Sequence, residues 1–85
     1  MKTRRIGRFE IDRARVDYAP KQCLAILLGM IVVRAELQFH SDTIAYMAIG
    51  DQFEEMPPDS AVPEYDYEIK DLIGGKYHVV WSRRP

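Results

Sequence analysis

The segment Met30–His40, MIVVRAELQFH, constrains the fold more than any other part of the chain. Ile31, Val33, Ala35, Leu37 and Phe39 recur at period two, with Arg34, Glu36, Gln38 and His40 between them. That alternation predicts a half-buried β-strand with one apolar face and one wet, hydrogen-bonding face. The segments after it continue an antiparallel meander. Ser41-Asp42 is a polar connection of hairpin length. Thr43–Ile49 reads as the next strand, and Glu64–Lys70 alternates Tyr65, Tyr67 and Ile69 against charged residues. Gly74-Gly75 is a hairpin signal, leading into a last strand over Tyr77–Ser82. Between them Gly50–Pro63 carries three prolines and four acidic residues, which argues for a loop.

Upstream, Arg5–Arg13 alternates weakly, with Phe9 and Ile11 opposed to Arg8, Glu10 and Asp12, and reads as a first strand that Val16 and Tyr18 extend. Pro20 suits the first turn of a helix. Lys21–Leu28 then contains good helix formers, and Gly29 is a natural stop. The expected fold is α+β: an antiparallel β-sheet of about four to five strands with one short apolar helix near the N-terminal side, in a single domain over residues 1–85.

That helix is apolar nearly all round, from Cys23 to Leu28. Such a helix needs cover on two sides. One side is expected to lie on the sheet and the other on a second subunit; the competing reading is a buried strand or loop. A chain this short buries only about 60–65% of its unfolded surface, which also favours a homo-oligomer. Cys23 is the sole cysteine, so no intrachain disulfide forms and a reducing compartment fits. The longest apolar stretch, Cys23–Val33, is about half a membrane span, and it lies too far from Met1 for a signal peptide. A cytoplasmic protein is expected.

Charge is unevenly distributed. Residues 1–14 carry a net +3, residues 42–71 a net −8, and residues 76–85 a net +3. The basic ends are either solvated strand faces and tails or parts of an anion-binding patch. The acidic centre and the lack of a continuous basic stripe disfavour duplex nucleic acid.

No catalytic motif is legible. His40 and His78 lie far apart in sequence, the three serines occupy no nucleophile elbow, and the glycines form no phosphate cradle. No enzyme, cofactor or metal is expected. The candidate chemistry lies in arginines and aromatics. Arg34, mid-strand on a polar face, either pairs with Glu36 or a cross-strand carboxylate, or binds a ligand phosphate bidentately. Phe53, a large apolar residue in a polar loop, either anchors the loop on the core or offers a flat face to a base. Arg83 and Arg84 are either a frayed tail or complete a basic pocket with Arg34.

The stretch IVVRAELQFHSDTIAYMAIGDQFEEMPPDSAVPEYDYEI, with its strand arginine, T-I-x-Y strand, F-E-x-x-P loop and P-E-Y, resembles small phage proteins of the Thoeris anti-defence sponge family, first type. The resemblance covers roughly Ile31–Arg83. It implies a non-enzymatic oligomer that sequesters cyclic ADP-ribose-type signals, in some members also cyclic oligonucleotides, held between protomers by arginines and a stacking aromatic. The matching ligand-binding positions are Arg34, Phe53, and Arg83 or Arg84. The chain departs from the family in having no asparagine and no longer helical N-terminal part. Two other functions suit the composition: an acidic protein-interaction inhibitor of a bacterial defence complex, in the manner of anti-CRISPR proteins, and a small structural phage protein.

Overall fold

Phe9 and Ile11 stand on the inner face of strand β1 (Arg4–Asp12), and the rest of the chain is arranged to cover them. The computed structural model describes residues 4–57 and 59–85. Residues 1–3, which belong to the basic N-terminal stretch, and Pro58 of the expected loop lie outside the described residues. After β1 come helices α1 (Arg13–Tyr18) and α2 (Pro20–Leu27), then strands β2 (Ile31–Gln38), β3 (Thr43–Ile49), β4 (Glu55–Met56), β5 (Tyr65–Leu72) and β6 (Lys76–Arg83). The fold is α+β, built on two antiparallel sheets: one of order β2-β3-β1-β4, the other a β5-β6 hairpin.

The two sheets meet at a corner. The Arg8 N–H donates to the Pro63 carbonyl (2.9 Å) and Arg8 bridges Glu64 in parallel. The hairpin then folds over the inner face of the larger sheet. Its Tyr67 and Trp81 sit opposite each other in register, and both rings meet Phe9 edge-on, at 6.4 and 5.0 Å between centroids. Two tyrosine hydroxyls fasten the layers. Tyr67 donates to the Glu10 carbonyl (2.8 Å), and Tyr65 accepts from the Glu54 N–H (2.7 Å). Alternation along β5 thus turns the aromatic bodies toward the core and brings their polar tips to backbone groups.

Gly7 permits this closeness. A Cβ there would lie 2.6 Å from the Phe53 ring and 2.8 Å from Tyr65. At the end of α2, Leu28 (φ −61°, ψ 130°) and Gly29 (φ 77°) form a type II turn, closed by the Met30 N–H donating to the Leu27 carbonyl (3.3 Å). The positive φ at its third position is why glycine stands there.

Several expectations need correcting. Val16 and Tyr18 do not extend the first strand; they lie in α1, so the described residues form two helices. Arg13 pairs one helical turn on with Asp17 (3.9 Å), and its N–H donates to the Asp42 carbonyl (3.0 Å). The helix thereby places the Arg15 guanidinium against the Tyr67 hydroxyl at 3.2 Å. The β2–β3 connection spans Phe39–Asp42, with Asp42 in the left-handed region (φ 52°). The long strand β2 is not half-buried. It is the edge of its sheet, and residues 31–37 are exposed on both faces. A bulge at Val33 also breaks the alternation. Val32 takes the inner face beside Ala48, and Ile31 turns outward beside Ile49. Within the protomer α2 is covered by the rest of the chain on one side, as expected: Cys23 and Ile26 are buried, while Leu24 and, just past the helix, Leu28 are 69% and 75% exposed on the side expected to meet a second subunit.

Burial pushes the Cys23 thiol and the Tyr46 and Tyr67 hydroxyls above their ordinary values of 9.0 and 10.0. A folded-state value above the unfolded one means stability fully present below the unfolded value and lost as pH rises through the folded one. Urea unfolding is therefore expected to show these groups' contribution intact below pH 9.0 and declining above it, the tyrosines adding to the loss past 10.0. Cys23→Ala should remove the first part of the decline. In the core itself, Phe53→Ala should cost about 3–5 kcal/mol and Gly7→Ala about 1–3 kcal/mol through overpacking, both read from denaturation midpoints.

Candidate functional site

The outer face of the four-stranded sheet carries bands of different chemistry, because β1, β3 and β2 pair in register. Ile6, Ile49 and Ile31 form one cross-strand row. The next row is Arg8, Met47 and Arg34, and the one after is Glu10, Ala45 and Glu36. An apolar band is thus followed by a basic one and then an acidic one.

Ala45 is the short side chain between two glutamates, and the face is hollow there. Arg8, Arg34, Glu36, Gln38 and Met47 surround an open depression of about 210 Å³ floored by Ala45. A smaller depression adjoins it, bordered by Arg8, Glu10, Glu64 and Arg84. Arg8 borders both, so Arg34, Arg8 and Arg84 succeed one another across the face. Among the described residues the Arg8 guanidinium has no hydrogen-bond or ion-pair partner. It is the free cation of the group.

The sequence-predicted site residues separate. Arg34 lies on the outer face and pairs with Glu36 at 3.2 Å, both side chains more than half exposed. Arg84 holds Asp66 at 2.8 Å and Glu64 at 3.3 Å; the Asp66 hydrogen bond and charge push its guanidinium further up, so it stays charged. Arg83 turns to Glu54 at 2.7 Å. Neither C-terminal arginine is a frayed tail. Both tie the last strand to acidic residues, and the acidic run is partly neutralised within the chain. Arg83 borders neither depression.

Phe53 is a correction. It is 1% exposed and lies against Tyr65, Trp81 and Phe9 at centroid distances of 4.9, 5.4 and 6.1 Å. Its ring is a core anchor, with no face left to stack on a ligand. The loop stays polar around it because one ring is enough to fix the chain there. The Arg5 guanidinium secures the same point by donating to the Phe53 carbonyl at 3.0 Å.

Sequence reading passed over Arg8. Its position on the polar side of the first strand was legible, but its neighbours Met47 and Arg34 lie 39 and 26 residues on and meet it only through the β1-β3-β2 register. Among the described residues no cluster of three or more His, Cys, Asp or Glu side chains could hold a metal ion. No described helix is long and apolar enough to cross a membrane. No protein-family model, curated protein or solved structure matches the chain.

Exposed ion pairs contribute little to stability, about 0–1 kcal/mol. Arg34→Ala and Arg83→Ala are each expected to leave the unfolding free energy within about 1 kcal/mol of the parent, far from the cost of truncating Phe53. A larger loss in equilibrium denaturation would assign these arginines a structural role.

Proposed function

We propose that the chain is a non-catalytic binding protein that captures a small phosphorylated, base-containing ligand on the outer face of its four-stranded sheet. The observation that carries this reading is the unpartnered Arg8 facing Arg34 across a hollow floored by Ala45. A guanidinium presents a planar fork of donors that suits phosphate. The glutamate row beside it supplies acceptors for the hydroxyls of a ribose or the amino group of a base. Met47 and, in the adjoining row, Ile49 and Ile31 offer apolar area to a flat ring, while Ile6 is buried. The hollow is smaller than the roughly 300–1,000 Å³ of pockets that enclose a drug-sized ligand, so it suits the phosphate part, with the rest lying along the face.

The resemblance to Thoeris anti-defence sponges makes a cyclic nucleotide signal, of the cyclic ADP-ribose or cyclic oligonucleotide type, the first ligand class to test. With Phe53 in the core, the site in this reading is Arg8, Arg34 and Glu36, with Arg84 at its far end. The acidic-inhibitor reading has less support, since Glu54, Glu64 and Asp66 are occupied by Arg83 and Arg84.

Calorimetry against a panel of cyclic nucleotides, followed by heat release of any captured ligand, tests this. Binding is expected, with the ligand recovered chemically unchanged. Losing a charge-assisted hydrogen bond costs about 1.5–3 kcal/mol, so Arg8→Ala should weaken affinity roughly tenfold or more without lowering the melting temperature. Absence of binding across the panel, or recovery of an altered ligand, overturns the proposal.

A further inference from the structure

The free edge of β2 is an interface with a second copy of this chain: we infer that two protomers join their sheets by antiparallel pairing of β2 with β2, centred on Ala35. Strand β2 pairs with β3 on one side and has no strand on the other among the described residues. It leaves Ile31, Val33 and Leu37 exposed at 68%, 50% and 37%, followed by Phe39 at 86%. An uncovered strand edge with apolar side chains is a template for pairing.

The residue pattern says what pairs with it. About a twofold axis normal to the sheet, directly opposed residues must share a face, so the axis must pass through a residue position. Centring on Arg34 sets arginine against arginine. Centring on Glu36 sets glutamate against glutamate. Centring on Leu37 leaves Glu36 opposite Gln38 and Arg34 opposite His40, beyond the end of the strand. Centring on Ala35 sets Arg34 opposite Glu36 of the second copy on both sides of the axis, all on the outer face. It also brings Leu37 of each copy beside Val33 of the other. Of the registers that set both Arg34 and Glu36 opposite residues within the strand, this one alone satisfies both charges, so β2 is complementary to itself.

The same geometry limits the assembly. The bulge at Val33 ends regular pairing on one side of the axis, and twofold symmetry repeats that limit on the other. The opposite edge of the sheet is occupied, first by β4 against Arg4 and Arg5 and then by the bridge from Arg8 to Glu64. Pairing through β2 therefore closes at two copies and does not propagate into a fibre. It also sets the inner-face Leu37 residues of the two copies into one apolar strip, which α2, lying against β6, leaves uncovered.

Charge exchange tests the register, with light scattering for mass and circular dichroism for folding. The parent chain should have twice the protomer mass at micromolar concentration. Arg34→Glu and Glu36→Arg should each be folded monomers, since each sets like charges opposite one another. An equimolar mixture of these two variants should form a heterodimer, and the double exchange Arg34→Glu/Glu36→Arg should restore the homodimer. Ala35→Cys should give a disulfide-linked dimer on mild oxidation, because opposed strand residues stand about 4.5–5.5 Å apart at Cα while Cys23 is buried. A monomeric parent, single exchanges that remain dimeric, or a mixture that stays monomeric overturns the inference. Arg8→Ala lies off this edge and should leave the dimer intact, which separates it from the ligand reading.

Discussion

The structure depends on what surrounds one ring. Phe9 lies parallel to Tyr46 from the neighbouring strand at 5.4 Å and meets Phe53 from the loop, Tyr67 from β5 and Trp81 from β6. Both sheets and the loop each contribute an aromatic to that point. In so short a chain aliphatic volume is scarce, and large rings with defined edges and faces bury much area per residue. The arrangement requires Gly7, two positions along the same face of β1, because a side chain there would occupy the space of Phe53 and Tyr65. The loop, the corner between the sheets and the hairpin are positioned by this cluster, and so, through the strand register, is the chemistry of the opposite face.

The sequence made some of this legible. Thr43–Ile49 is a strand at both predicted ends. The Tyr65–Tyr67–Ile69 and Tyr77–Val79–Trp81 alternations point inward as expected, and Gly74 and Gly75 both adopt positive φ at the hairpin. These features are local, since strand period and turn chemistry are written in neighbouring residues. What was not legible depended on distant partners. The alternation of β2 gave its two faces but could not say that nothing covers the inner one, nor that an extra residue at Val33 reverses the strand's first two positions. The six residues of α1 form too short a segment to announce a helix, and its place is fixed by Asp42 and Tyr67.

The candidate site divided in the same way. Each expected arginine offered two partners, a carboxylate in the chain or an anion outside it, and three found carboxylates. Local composition could not decide this, because Glu54 reaches Arg83 across 29 residues and Asp66 reaches Arg84 across 18. Phe53 had two destinations and took the core. Arg8 drew no attention in sequence because nothing near it is distinctive. Its standing comes from being a cation on the outer face without an ion-pair partner among the described residues.

Apart from the buried Gln52 Oε1, which has no hydrogen-bond partner among the described residues, the outer face and the free edge of β2 hold the unsatisfied groups discussed above. Within the core, hydroxyls and rings find partners. On the C-terminal strand, arginines and acids neutralise one another. Among the described residues, β2 and the rows beside it carry a cation without a carboxylate at Arg8 and a strand edge without a neighbouring strand from Ile31 to Gln38. Arg34 belongs to both, since it borders the hollow and stands on the edge. Its pair with Glu36 is exposed and contributes little to stability, about 0–1 kcal/mol, so either partner can be exchanged at small cost. A weak pair within one chain suits such a position. Both side chains are more than half exposed in the lone protomer, so they are open to the exchange of partners that the proposed phosphate ligand and the proposed second copy each require.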